Sequence, residues 1–243
     1  MADTVKLNIW LPEYKRKEFI LVHKNILEKY EQITQLVFYS IEETTEKYGN
    51  ELVEKYEKMY DYETMDPSDI FEKISYEKYE YYQMEKLIEY NVSLGILSTA
   101  YQILEQQLRK FIYEELNQSF SPVRTDDFVK VGINMWEIKE LYKVAGYDLE
   151  TCSYWDDISI LADIVNTFKH GKGRSSERLY KNNPNLFLKS YFSKEKIIDQ
   201  ELTSNSAIVL DLDQIDFKYY LYTIINFWNQ FPEHINGTYT FVN

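Results

Sequence analysis

The chain has 243 residues, 44% of them hydrophobic, with only 7 Gly and 5 Pro; this is the composition of a globular protein built on long helices, and it excludes a disordered chain. The 40 Asp and Glu against 27 Lys and Arg give a formal net charge of -13, which excludes a nucleic-acid binder that uses its whole surface, since phosphate contacts need basic groups. A single cysteine, Cys152, excludes an intramolecular disulfide and a thiolate-rich zinc site; without a run of about 18 apolar residues, a cytoplasmic protein with no membrane partner is expected.

The first segment alternates Val5, Leu7 and Ile9 with period two and reads as a short strand ending at Pro12. From Lys15 the period changes. Phe19, Val22, Ile26, Tyr30, Ile33, Val37 and Ile41 recur at three- and four-residue steps, which predicts one long helix to about Tyr60 with Glu and Lys on its other face. His23 lies beside that stripe and reads as a packed or half-exposed helix residue. Asp66-Pro67-Ser68-Asp69 is a helix start, with Pro in the first turn and acids at the positive end of the dipole. The helix it opens runs to about Asn117, with Asn91 or Gly95 as candidate breaks. Leu94, Leu97, Tyr101, Leu104, Leu108 and Phe111 then form the buried seam of a helical bundle. Glu105 and Arg109, four apart, lie off the seam and either pair at the surface or line a site at the bundle's edge.

Ser121 to Gly132 reads as a loop, and Ile133 to Ala145 as a short helix stopped at Gly146. Ser153 with Asp156 resembles a capping box for a helix ending at Gly171-Lys172-Gly173. Residues 182–206, rich in Asn and Ser, read as loop. Ala207 to Leu212 is expected to be a second strand that pairs with the first. Asp213 or Asp216 opens a last helix through Tyr220, Ile224, Phe227 and Trp228 to Pro232. The 23 tyrosines, as in YEKYEYYQMEK, serve to cover apolar surface while keeping the hydroxyl wet. With no repeat and no Gly/Ser-rich linker, the expected fold is a single, mainly all-α domain over 1–243 with a small two-stranded β accessory.

Charge is uneven along this chain. Over 169–192, Lys169, Lys172, Arg174, Arg178, Lys181 and Lys189 face only Glu177, which reads either as a phosphate-facing patch or as a solvated basic loop. Just before it, Ile158, Leu161, Val165 and Phe168 form a core-facing stripe, while Asp163, Asn166 and His170 stack along another face of the last two helical turns. A polar row ending in histidine suits phosphate chemistry: the imidazole exchanges a proton near neutral pH, an Asn orients it or holds a substrate oxygen, and nearby cations stabilise charge on phosphorus. The plainer alternative is a histidine interacting with a helix C-terminus that Gly171 caps. The glycine spacing is not that of a P-loop, and three histidines far apart in sequence offer no metal-ligand pair.

At LADIVNTFKHG the sequence resembles the HEPN superfamily, small helical bundles common in bacterial toxin–antitoxin and antiphage systems. Members show R-[polar]-x3-H or N-x-x-K-H-x-x-G near the end of the last core helix, and Leu97 to Phe111 looks like an earlier core helix of that bundle. The resemblance covers about 92–180, leaving 13–90 as an N-terminal helical extension and 206–232 as a C-terminal strand plus helix. It implies a metal-independent endoribonuclease that needs no cofactor, acts on RNA as a homodimer and is accompanied by an antitoxin or defence-complex protein. His170 would be the general acid or base and Asn166 the polar residue, with Arg174, Arg178 or Arg109 replacing the motif arginine, because Val165 stands at that position. Lys169, Lys172, Arg178 and Lys181 would bind phosphate, with Asp163, Glu105 and Arg109 in support. Gly173 stands where one subgroup carries a tyrosine modified by its partner, so that modification is not expected. The alternative is a non-catalytic HEPN-like interaction or dimerisation module that binds a protein or nucleotide.

Overall fold

Leu94, Leu97, Tyr101, Leu104, Leu108 and Phe111 are all buried, so the seam expected from their spacing is the axis against which the other elements pack. The computed structural model describes residues 4–59, 66–119, 134–189 and 208–240; the loop expected at 121–132 and most of that expected at 182–206 lie outside these residues. In chain order the elements are β1 (Thr4–Trp10), α1 (Glu13–Ile33), a π-helical stretch (Thr34–Phe38), α2 (Ile41–Met59), α3 (Pro67–Ser119), α4 (Met135–Val144), α5 (Trp155–His170), α6 (Arg174–Asn182), α7 (Phe217–Gln230) and β2 (His234–Thr240). The protein is mainly α-helical with a two-stranded antiparallel sheet. No described helix is long and apolar enough to cross a membrane.

The Asp66 carboxylate accepts from the Ser68 N–H at 2.9 Å and caps the start of α3. This helix runs unbroken for 53 residues, through both expected breaks. Asn91 is accommodated because its side chain donates to the Leu87 carbonyl at 2.8 Å, and nothing crowds the position of Gly95. The N-terminal half of α3 packs on α2 around a small separate core of Leu52, Tyr56, Ile70 and Ile74. Its C-terminal half meets β1, α1, α4, α5 and α7.

The single helix expected from Lys15 to about Tyr60 is instead α1 and α2, divided by the π-helical stretch. There Thr34 Oγ1 donates to the Tyr30 carbonyl at 2.8 Å, and the wider turn rotates the apolar stripe. Phe38 and Ile41 are buried, whereas Val37 and its neighbours Leu36 and Tyr39 face outward. The second strand is also displaced from its expected place. β1 pairs with β2, Leu7 opposite Gly237 and Ile9 opposite Ile235, while the described part of 207–212 makes only an isolated bridge from Leu210 to Phe187. β2 lacked a period-two signal because of its described side chains only Ile235 is buried. Its Gly237 serves a close crossing: a Cβ there would overlap the Ala145 carbonyl, just where Gly146, at φ 101°, stops α4.

The expected cap at Ser153 is a tertiary bond. Its hydroxyl donates to Gln230 Oε1 at 2.8 Å and ties the start of α5 to the end of α7. The start of α7 is capped as expected, the Asp216 carboxylate accepting from the Tyr219 N–H at 2.9 Å. At its other end the Arg16 guanidinium donates to the Trp228 and Phe231 carbonyls.

His23 is wholly buried between α1, α3 and α7. Gln107 Oε1 accepts from Trp228 Nε1 at 2.9 Å and lies 3.0 Å from His23 Nε2. Both partners must therefore donate, and His23 is the neutral Nε2–H tautomer with an unpartnered Nδ1. Burial pulls the imidazole pKa down to about 4, the hydrogen bond with Gln107 working the other way.

Two outcomes follow from this packing. Gly237→Ala should lower urea-denaturation stability by more than about 2 kcal/mol, because backbone atoms of 145 and 146 must move; an unchanged midpoint would contradict the crossing. The unfolded chain protonates His23 near the ordinary value of 6.5 but the folded one only near 4, so stability is complete above pH 6.5 and lost as pH falls toward 4. Between pH 7 and 5, His23→Gln should remove about 2 kcal/mol of that pH-dependent loss, read as the difference from wild type.

Candidate functional site at the end of the fifth helix

The inner face of α5 buries Ile158, Leu161, Ile164 and Val165, and with them Asp163 and Thr167. Asp163 therefore belongs to the core-facing side, not to a solvated polar face. The row from Asp163 through Asn166 to His170 climbs out of the protein: the first is buried, the second half-buried and the last exposed.

Arg178 on α6 answers the Asp163 carboxylate. Its Nε donates to Asp163 Oδ2 at 2.7 Å and its Nη2 to Oδ1, a planar two-point contact. The same bond holds the Arg178 guanidinium pKa above its usual range. Both segment readings of 169–192 need adjustment here, because 174–182 is neither a loop nor wholly free charge: it is the helix α6, with Leu179 buried and Arg178 committed to Asp163. Gly171, at φ 66°, allows the reversal between the helices. Gly173 N–H then donates to Ser176 Oγ at 2.8 Å to start α6.

The reversal leaves His170 as the last residue of α5 and Arg174 as the first of α6, both exposed, with exposed Lys172 between them. Lys181 and Lys189 are exposed further on. Lys169 is half-buried, and its pKa is lowered by burial, against the raising effect of Glu105. Glu105 and Arg109 do form the expected pair, at 2.6 Å. Tyr101, a seam residue not singled out in the sequence for this site, lies beside them; burial raises its phenol pKa, and the charges of Glu105 and Asp163 raise it further. Tyr101, Glu105 and Arg109 follow one another on α3, which packs on α5, with Glu105 near enough to Lys169 to act on its pKa.

Val165, where the family resemblance would place an arginine, is 1% exposed. A cation there would sit in the core without water, which explains an apolar residue at this register. Of the three candidate replacements, Arg109 bonds Glu105 and Arg178 bonds Asp163, whereas Arg174 is exposed and makes no ion pair among the described residues. Among the described residues no group of three or more His, Cys, Asp or Glu could hold a metal. The corner exposes an imidazole and an arginine at two adjoining helix ends, the second at the amide end of α6.

Comparison with family models, with curated proteins and with solved structures finds no match.

The clamp can be tested without an activity. Arg178→Ala should cost about 1–3 kcal/mol in urea denaturation, because it strands a buried carboxylate. Adding Asp163→Asn should recover part of that loss. Additive effects of the two changes would show that they do not interact.

Proposed function

We propose that the protein is a HEPN-like, metal-independent endoribonuclease of a bacterial defence or toxin-type system, working in the cytoplasm. His170 is its general acid or base, Asn166 holds the ring or a phosphate oxygen, and Arg174 stands in for the motif arginine. The observation that carries this reading is the exposure of His170 beside Arg174 and Lys172 at a helix reversal that Asp163 and Arg178 brace from behind. An open corner accepts a polymer, and two copies related by two-fold symmetry would bring the same corner together, as a composite site requires. In the reaction the ribose 2′-hydroxyl attacks phosphorus, one imidazole removing its proton and another donating to the leaving 5′-oxygen, with the cations opposing charge on the phosphoryl oxygens. Lys169, Lys172 and Lys181 bind flanking phosphates.

A second reading, a non-catalytic HEPN-like module that dimerises or binds a protein or nucleotide partner, is favoured by one fact: two of the three candidate arginines are already in ion pairs. Purified protein and His170→Ala, incubated with total RNA in EDTA, separate the two. The ribonuclease reading expects cleavage by the wild type and a loss of about 100-fold or more in the variant, with thermal unfolding little changed since the side chain is exposed. Absence of cleavage by folded wild type would overturn it in favour of the binding module.

A further inference from the structure

On a different face of the bundle, a cavity of about 420 Å³ opens between the end of α1, the middle of α3 and the segment leading into α7. Its wall includes the first two residues of the π-helical stretch, Thr34 and Gln35. Four carboxylates line it, Glu31, Glu89, Asp213 and Asp216, against one ammonium, Lys218. Three of the four have protein partners. Glu31 takes Lys218 at 2.6 Å, Glu89 takes Lys86 at 2.8 Å, and Asp216 caps α7. Asp213 is exposed, and its carboxylate has no partner among the described residues.

Carboxylates alone do not make a site. The cavity also has a neutral polar group that the fold leaves unused. Ser93 is 5% exposed, lines the cavity, and its hydroxyl has no hydrogen-bond partner among the described residues. On a helix the usual partner of a serine or threonine hydroxyl is the carbonyl four residues back; the Ser93 hydroxyl does not use it and, unlike Ser98 Oγ, is not sealed from solvent. Thr99 does use it on the same helix, at 2.9 Å. Beside Ser93 the rings of Tyr30 and Phe217 stack at 5.1 Å, an apolar surface within an acidic rim.

We propose that this cavity binds a linear aliphatic polyamine. A primary ammonium has three N–H donors and no acceptor, so it needs a set of oxygens, and Ser93 Oγ with the Asp213 carboxylate supplies two that are uncommitted. The methylene chain lies against the Tyr30 and Phe217 rings, where apolar contact and attraction of the cation to the ring faces act together. A further ammonium reaches Glu31 or Glu89, whose present partners are flexible lysines that can yield. A hard divalent metal ion suits the site less well, because the aromatic side of the wall offers it no oxygen ligands.

Spermidine is the probe. Titrated calorimetrically into the full chain at about 0.15 M salt, where weak surface charge interactions are screened, it should bind saturably with one site per chain. Ser93→Ala, which removes the hydroxyl and adds no bulk, and Asp213→Asn, which removes the charge, should each weaken binding by roughly fivefold or more. Thermal unfolding of each variant without spermidine should match wild type, and Glu51→Gln, on α2 and outside the cavity lining, should bind as wild type does. No saturable binding, equal binding by all three variants, or equal displacement by magnesium at matched ionic strength would each overturn the proposal. The assay contains no RNA, so its outcome is independent of the ribonuclease reading.

Discussion

A carboxylate buried in the wall of a helical bundle is costly unless a cation or hydrogen-bond donors answer it, and in this protein that constraint sets the geometry of the candidate site. Asp163 lies on the inner side of α5 among Leu161, Ile164 and Val165, and only a chain that turns back after His170 can bring Arg178 over it. The planar two-point contact fixes the direction of the return as well as its distance. Gly171 supplies the backbone conformation for the reversal, and α6 then covers the carboxylate with Leu179 tucked beneath. His170 and Arg174 are thereby held at two adjoining helix ends instead of on a loop. The same contact removes Arg178 from the set of free cations, so structure and chemistry divide the basic segment between them.

Behind this corner, α5 is positioned by what it packs against. It contacts α3 and α7, and one side chain of α3 bonds to both α7 and α1. Gln107 receives Trp228 of α7 and His23 of α1 on one oxygen, and gives its own amide proton to the Phe19 carbonyl at 3.2 Å. A network of this kind inside an apolar core is costly if any member is lost, and it allows only one arrangement of the three helices. Arg16 on the carbonyls at the end of α7 and Ser153 on Gln230 extend the same bracing to the start of α5. The face carrying Asn166 and His170 is therefore mounted on a braced support.

Much of this was legible in the residues, and the failures have physical causes. The seam of α3, the start at Asp66-Pro67, the stops at Gly146 and Gly171 and the cap at Asp216 all rest on local signals, periodicity and capping, that tertiary contacts then reinforced. The π-helical break after Ile33 was not legible because its residues keep the helical apolar period. β2 was missed because an edge strand that buries little and needs a glycine for close approach carries no alternation, whereas the apolar segment expected as the strand makes, in its described part, only an isolated bridge to Phe187. At the site, spacing alone grouped Asp163 with Asn166 and His170. Burial separates them, since a helix face described by three- and four-residue steps is wide enough to run from core to solvent. The true partner of Asp163 lies 15 residues on, across a reversal, which helical spacing cannot reveal. Nor could spacing reveal Ser93, whose interest arises only from having nothing to bond.

The site's strongest feature is also what makes its role checkable by direct observation. The chain has three histidines, and two of them are opposites: His23 is sealed in the core and His170 stands in solvent. With histidine rings isotopically labelled, their signals can be followed by NMR while a 2′-O-methyl RNA oligonucleotide, which cannot supply the attacking hydroxyl, is added. A phosphate-handling site at the α5–α6 corner predicts that the His170 ring signals move and saturate, that His23 stays fixed, and that Arg174→Ala weakens the response. A His170 signal unmoved at saturating RNA, or one that moves equally in Arg174→Ala, would contradict it.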